Sequence, residues 1–191
     1  MGRTLKVDEV IEDMNFTSRE FRTGDFEACV FKRCTFRDLE LGSSSFEECE
    51  FVDSDFSNSK LSNTALRDVR FNNCKMLGLH FETCNPFLFS VQFTKCQLSV
   101  ASFYQCILKQ SQFRECLLKD VDFVEADLTK AVFSNCDLEG ALFDHSILVE
   151  TDFSSAFHYR LDPEVNTLKK TKFSKEGLHG LLGKYDIKIS A

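Results

Sequence analysis

The stretch "FEACVFKRCTFRDLEL", residues 26–41, places its large apolar residues at Phe26, Phe31, Phe36 and Leu41, one every five positions. A strand turns the same face inward every second residue and a helix every 3.6, so a five-residue beat belongs to neither. Followed outward, the beat starts at Phe16 and holds in steps of five to Phe81, with Phe, Leu or Met at every position. A second run goes in fives from Phe93 to Phe153, with only Phe or Leu. Two positions before these centres the residues are small: Cys29, Cys34, Ser44, Cys49 and Ser54, then Ala101, Cys106, Ser111, Cys116, Ala126 and Ala131. All nine cysteines fall in this slot once Cys84 continues the first run. The other three slots are mostly polar. Each pentad therefore offers one large and one small inward residue and three outward ones.

Composition fits one sizeable domain of 191 residues. The chain has 21 Phe, 3 Tyr and no Trp, with 2 Pro and 8 Gly, too few for a disordered or collagen-like chain. No apolar run is long enough to cross a membrane. Met1 to Lys6 lacks a signal-peptide apolar core, and Lys6 stands where a myristoylation signal needs Ser or Thr. A cytoplasmic protein is expected. The cysteine count is odd and no pair has the two-residue gap of a zinc or redox motif. His80, His145, His158 and His179 are scattered, so neither a metal nor another cofactor is expected.

The pentads "ADLTK" (126–130) and "CDLEG" (136–140) show a small residue, Asp, Leu, then two polar residues. In this the sequence resembles the pentapeptide-repeat proteins, over about residues 14–173. The resemblance implies an all-β fold, a right-handed quadrilateral β-helix with four pentads per coil and about seven coils. Residues 1–13 would form an N-terminal cap, 14–173 the β-helix with a two-residue bulge near 85–90, and 174–191 a C-terminal capping and dimerisation segment. Five residues would make one side of a square, with hydrogen bonds running between coils about 4.8 Å apart.

With twenty residues per coil, centres twenty apart should stack. Phe81 and Phe93 are separated by two pentads plus two residues, which a bulge near Pro86 absorbs. The fourth face then reads Phe31, Phe51, Phe71, Phe93, Phe113, Phe133, Phe153, all Phe. The first reads Phe16, Phe36, Phe56, Met76, Leu98, Leu118, Leu138; the second and third sort similarly. Like residues cluster in columns, which the five-beat alone did not require. In the small slot of the first face, Cys74, Cys96, Cys116 and Cys136 follow one another. They read as small core hydrophobes; a redox or metal device is the other reading. Structural thiols would react only after unfolding, whereas a redox site would react in the native state.

Seven coils make a rod about 30–35 Å long. Its ends need caps against edge-to-edge aggregation. The N-terminal cap would be Leu5 to Met14, a short strand or turn. Ser174 can cap a helix from about Lys175 to Leu182, and "YDIKI" (185–189) alternates like a strand. This segment resembles the dimerising end of the quinolone-resistance (Qnr-type) pentapeptide-repeat proteins, which implies a homodimer through Leu178, Leu181, Leu182, Tyr185, Ile187 and Ile189. A simple lid on the last coil is the alternative.

No catalytic constellation stands out, and a filled interior leaves no substrate pocket, so a binding protein rather than an enzyme is expected, without a small-molecule substrate. The net charge of −7 argues against direct contact with nucleic acid. Acidic residues gather on two adjoining faces: Glu40, Glu82, Asp122, Glu125 and Asp144 on the second; Asp25, Glu27, Glu47, Glu48, Asp68, Asp127 and Glu150 on the third. Resemblance to the Qnr-type group implies a DNA mimic that binds type II topoisomerase (DNA gyrase) and protects it from quinolones. Solubility alone also explains acidic faces, and a scaffold for an unrelated protein is the alternative function. The projecting loops typical of that group's Gram-negative members are missing. The bulge Asn85, Pro86, Phe87, Leu88 and Phe89 is a candidate contact, since its three apolar residues cannot all point inward, with Tyr104, Ile107, Ile147 and Val149 as a neighbouring apolar strip.

Overall fold

The structure, a computed structural model, describes residues 4–16, 21–185, 187 and 188. The chain winds as a right-handed quadrilateral β-helix of about eight turns. One side of the square is a nine-stranded parallel sheet built from β2 (Val10–Glu12), β4 (Val30–Lys32), β6 (Glu50–Val52), β8 (Val69–Asn72), β9 (Val91–Thr94), β10 (Gln112–Arg114), β11 (Val132–Ser134), β12 (Asp152–Phe153) and β13 (Lys172–Phe173). The side before it is a four-stranded sheet of β1 (Thr4–Val7), β3 (Gly24–Glu27), β5 (Ser45–Glu47) and β7 (Ala65–Arg67). The other sides are held by single bridges, such as Thr35 to Asp55 and Ser102 to Asp122.

The expected register is present. Phe31, Phe51 and Phe71 are successive partners twenty residues apart. Phe71 then pairs with Phe93, and the step of twenty resumes at Phe113 and Phe133. Ala65 still pairs with Asn85, while Val69 pairs with Val91, so the two extra residues lie between Asn85 and Val91.

The rings explain why the column is all Phe. Phe93, Phe113 and Phe133 stack at centroid distances of 5.2 and 4.8 Å, and the column runs on to Phe173. Between columns the rings meet edge to face, as Phe103 does with Phe113 at 88°. Offset stacking along the axis and edge contacts across it satisfy both faces of each ring quadrupole. The interior is filled: the void among Leu41, Phe51 and Phe71 measures about 10 Å³, less than a water needs.

The corners have their own rule. Twenty-six described residues other than glycine hold positive φ, almost all two positions after a centre, for example Asp53 (52°), Asn73 (52°) and Val100 (53°). This left-handed residue turns the chain from one side of the square to the next, and Asn, Asp and Gly adopt it most cheaply.

Both ends differ from expectation. Thr4–Val7 and Val10–Glu12 pair in register with Gly24–Glu27 and Val30–Lys32, so these residues build a coil of their own. At the other end the coils run to Phe173, where the sequence places the end of the β-helix. The N-terminal coil brings the total to about eight turns, where the sequence suggests seven. The C-terminal helix is a 3-10 helix, Glu176–Leu181, and the Ser174 hydroxyl accepts from the Gly177 N–H at 3.0 Å. Its glycines seat it: a Cβ on Gly180 would lie 2.2 Å from the Tyr159 carbonyl oxygen. The expected strand over 185–189 is not formed at Tyr185, Ile187 or Lys188; Asp186 and Ile189 lie outside the described residues. Instead Lys184 ties the segment to Asp162 and Glu164 at 2.8 and 2.6 Å, and the Tyr185 hydroxyl donates to Glu164. Among the described residues no helix is long and apolar enough to cross a membrane.

Candidate partner-binding faces

All twelve acidic candidates lie on outward slots, with Asp25, Asp122 and Asp127 half-buried and the other nine exposed. They divide by what they touch. Stacking at twenty-residue spacing sets Lys60 against Glu40 at 2.7 Å and Arg67 against Glu47 at 3.6 Å; Lys109 reaches Asp127 at 3.1 Å. Glu82 meets His80, Glu125 accepts from Tyr104 and Gln105, and Asp68 accepts from Ser90. The Lys60 ammonium holds the Glu40 carboxyl below its usual range. Burial raises Asp127, but hydrogen bonds from Thr129 and Lys109 outweigh it and leave that carboxyl low. Asp122 accepts from the Val124 N–H. Among the described residues Glu27, Glu48, Asp144 and Glu150 have no side-chain partner, so their charge is fully available to a ligand. The pairings at a spacing of twenty were readable from the period, which puts Lys60 directly over Glu40.

The bulge is a break in the ladder. One coil above it, Asp127 N donates to Cys106 O, and Leu108 N to Asp127 O. The equivalent bond below would need an N–H at position 86, which is proline. Among the described residues no bridge joins Asn85 to Ile107. Pro86, Phe87 and Leu88 turn outward, the latter two 66% and 64% exposed. Phe89 folds back in place of the missing centre, its ring 6.5 Å from that of Phe81. The Asn85 side chain accepts from the Phe87 N–H, and the Arg67 guanidinium lies 5.8 Å from the Phe87 ring centroid. Beside the break a cleft of about 310 Å³ opens between Phe81, Cys84, Phe89, Tyr104, Cys106 and Ile107. Tyr104, Ile107 and Ile147 are exposed and Val149 is half-buried. Sequence reading located the bulge and missed the cleft, although the proline that causes it was in view.

Of the expected dimerisation residues, Leu178, Leu182, Tyr185 and Ile187 are exposed, Leu181 packs on the core, and Ile189 lies outside the described residues. An open groove of about 950 Å³ runs past Lys119, His158, Arg160, His179, Tyr185 and Ile187. Among the described residues no group of three or more His, Cys, Asp or Glu side chains is placed to hold a metal ion.

Comparison with known proteins places this geometry. No curated protein matches in sequence. Among solved structures, a trypsin-treated variant of QnrB1, a plasmid-mediated fluoroquinolone resistance protein, aligns over 98% of both chains with 20% identity and a TM-score of 0.47. HetL, a pentapeptide repeat protein involved in heterocyst differentiation regulation in Nostoc sp. strain PCC 7120, aligns over 89% of this chain and 86% of its own, with 14% identity and a TM-score of 0.43. A pentapeptide repeat protein of the Arabidopsis thaliana thylakoid lumen covers 67% and 72%, with 21% identity and a TM-score of 0.29. The family profile for the pentapeptide repeat region matches residues 24–86 and 87–156, most of the chain. With its five-residue beat, square coil and left-handed corners, the chain belongs to the pentapeptide-repeat family.

Proposed function

We propose that this protein is a non-enzymatic binding rod, a Qnr-like DNA mimic whose acidic second and third faces occupy the DNA-binding groove of a type II topoisomerase. The observation that carries this reading is the set Glu27, Glu48, Asp144 and Glu150, carboxylates held outward on a rigid frame with no side-chain partner among the described residues. A cationic groove built for phosphates gains from such fixed negative charge, and the gain is greatest in association rate. The interior supports binding over catalysis, because side chains fill it. In this reading two rods join through Leu178, Leu182, Tyr185 and Ile187, doubling the charged length.

The second reading is a scaffold for an unrelated protein. Exposed Phe87, Leu88 and Ile107 favour it, since apolar groups among carboxylates match a protein surface better than a groove made for DNA. Gyrase supercoiling, with and without ciprofloxacin, separates the two. The mimic rescues the reaction from the drug or inhibits it alone, and Glu27→Gln, Glu48→Gln, Asp144→Asn and Glu150→Gln together abolish the effect. A wild-type protein without effect on gyrase, and on topoisomerase IV in the same assay, leaves the scaffold.

A further inference from the structure

Nine cysteines share one slot, which makes any difference among them informative. Cys29, Cys34, Cys49, Cys74, Cys96, Cys116 and Cys136 are at most 1% exposed, and each thiol donates to a backbone carbonyl oxygen at 3.3–3.5 Å. Cys84 and Cys106 do neither. They are 6% and 9% exposed, have no hydrogen-bond acceptor among the described residues, and form part of the wall of the 310 Å³ cleft. They stack one coil apart at the place where Pro86 interrupts the ladder. The seven sealed thiols serve as small core groups; these two, though buried, line the cleft.

We propose that Cys84 and Cys106 form a thiol modification site that takes a low-molecular-weight disulfide and closes to an intramolecular disulfide. The Cys106 thiolate attacks one sulfur of the reagent RSSR. A Cys106–S–S–R bond forms, the RS–SR bond breaks, and RS⁻ leaves. The Cys84 thiolate then attacks the Cys106 sulfur, forming Cys84–S–S–Cys106 and releasing the second RS⁻. Two protein thiols are oxidised by two electrons, RSSR is reduced to two RSH, and the thiol protons end on the released thiols. Strands of an intact ladder lie about 4.8 Å apart and a disulfide spans about 4.4–6.8 Å between Cα atoms; with the ladder open at this point the two coils are free to adjust to it. The new bond would tie the third face where its hydrogen bonds are missing.

Cys106 is the first to react because it is the more exposed of the two. Burial, then neighbouring negative charge, pushes both thiols up. Tyr104 and Ile107 complete the near wall. Since the thiolate is the nucleophile, the reaction accelerates as pH rises.

The test uses the full-length native protein and oxidised glutathione, followed by non-reducing peptide mapping with fragment sequencing. The expected product links Cys84 to Cys106 and leaves the other seven thiols free, with Cys106 modified before any of the seven. Cys106→Ser and, as a second variant, Cys106→Ala abolish the link with an unchanged circular dichroism spectrum, while Cys116→Ser retains it. Nine thiols that stay free until urea is added would overturn the proposal. So would even reaction of all nine, or linkage within the Cys74 to Cys136 ladder.

Discussion

Val100 holds φ at 53° with its side chain 58% exposed. It is a β-branched residue at a corner that asks for Asn, Asp or Gly, and its branched carbons crowd the backbone there. Replacing it costs no core contact, so Val100→Asn should raise stability by about 1 kcal/mol, read from the urea midpoint. A lower midpoint would contradict the corner rule. The corner was less legible than the centre. A Phe on every fifth residue is visible because burial demands volume, but Glu, Lys, Gln and Arg also occupy the left-handed slot and blur its Asn and Asp signal. His158 shows the reverse case. It stands where the beat wants an apolar centre, adopts φ 59° and turns outward, and Tyr159 fills the core instead.

At the scale of an element, the fourth-face column bears most on stability. Phe113 stacks on Phe93 and Phe133 and meets Phe103 and Phe123 edge-on, fully buried. Phe113→Ala should cost roughly 3–5 kcal/mol, while Phe113→Leu, which the first and third columns already use, should cost much less; chemical denaturation measures both. Register was legible because like side chains sort into columns, and the two-residue offset could be placed by requiring Phe71 to meet Phe93. The N-terminal coil was not legible. Lys6 occupies its third-face centre while Leu5, Val7 and Val10 face outward, inverting the pattern in this first described coil. The cleft was missed for a related reason. Periodicity reports which side chains point inward, whereas the break at Pro86 is a property of backbone hydrogen bonding.

Across the whole molecule, buried thiols make stability fall in alkali. Cys49 and Cys106 are raised to about 12 by burial; a hydrogen bond with the next thiol along the column lowers Cys96 and Cys116, but the thiol before each and burial outweigh it and raise them to about 12. A thiol whose folded value lies above its unfolded value, about 8.5, stabilises fully below that pH and loses its contribution as pH climbs toward 12. The urea midpoint should therefore drop between about pH 8 and 10, less steeply in Cys49→Ala; a flat midpoint would contradict the burial of neutral thiols. Sedimentation tests the proposed assembly: a particle of twice the 21.9 kDa chain mass is expected, falling to one chain in Leu178→Asp with Leu182→Asp. Which partner the rod meets was not legible, since the acids mark a face while the partner's own surface decides the fit.

The most direct measurement is displacement of a fluorescent DNA duplex from gyrase, followed by anisotropy as the protein is titrated in. Wild type should release the DNA, less effectively as salt rises, and the variant with Glu27, Glu48, Asp144 and Glu150 neutralised should not. DNA that stays bound at saturating protein, or release that persists unchanged in the neutralised variant, would contradict the account.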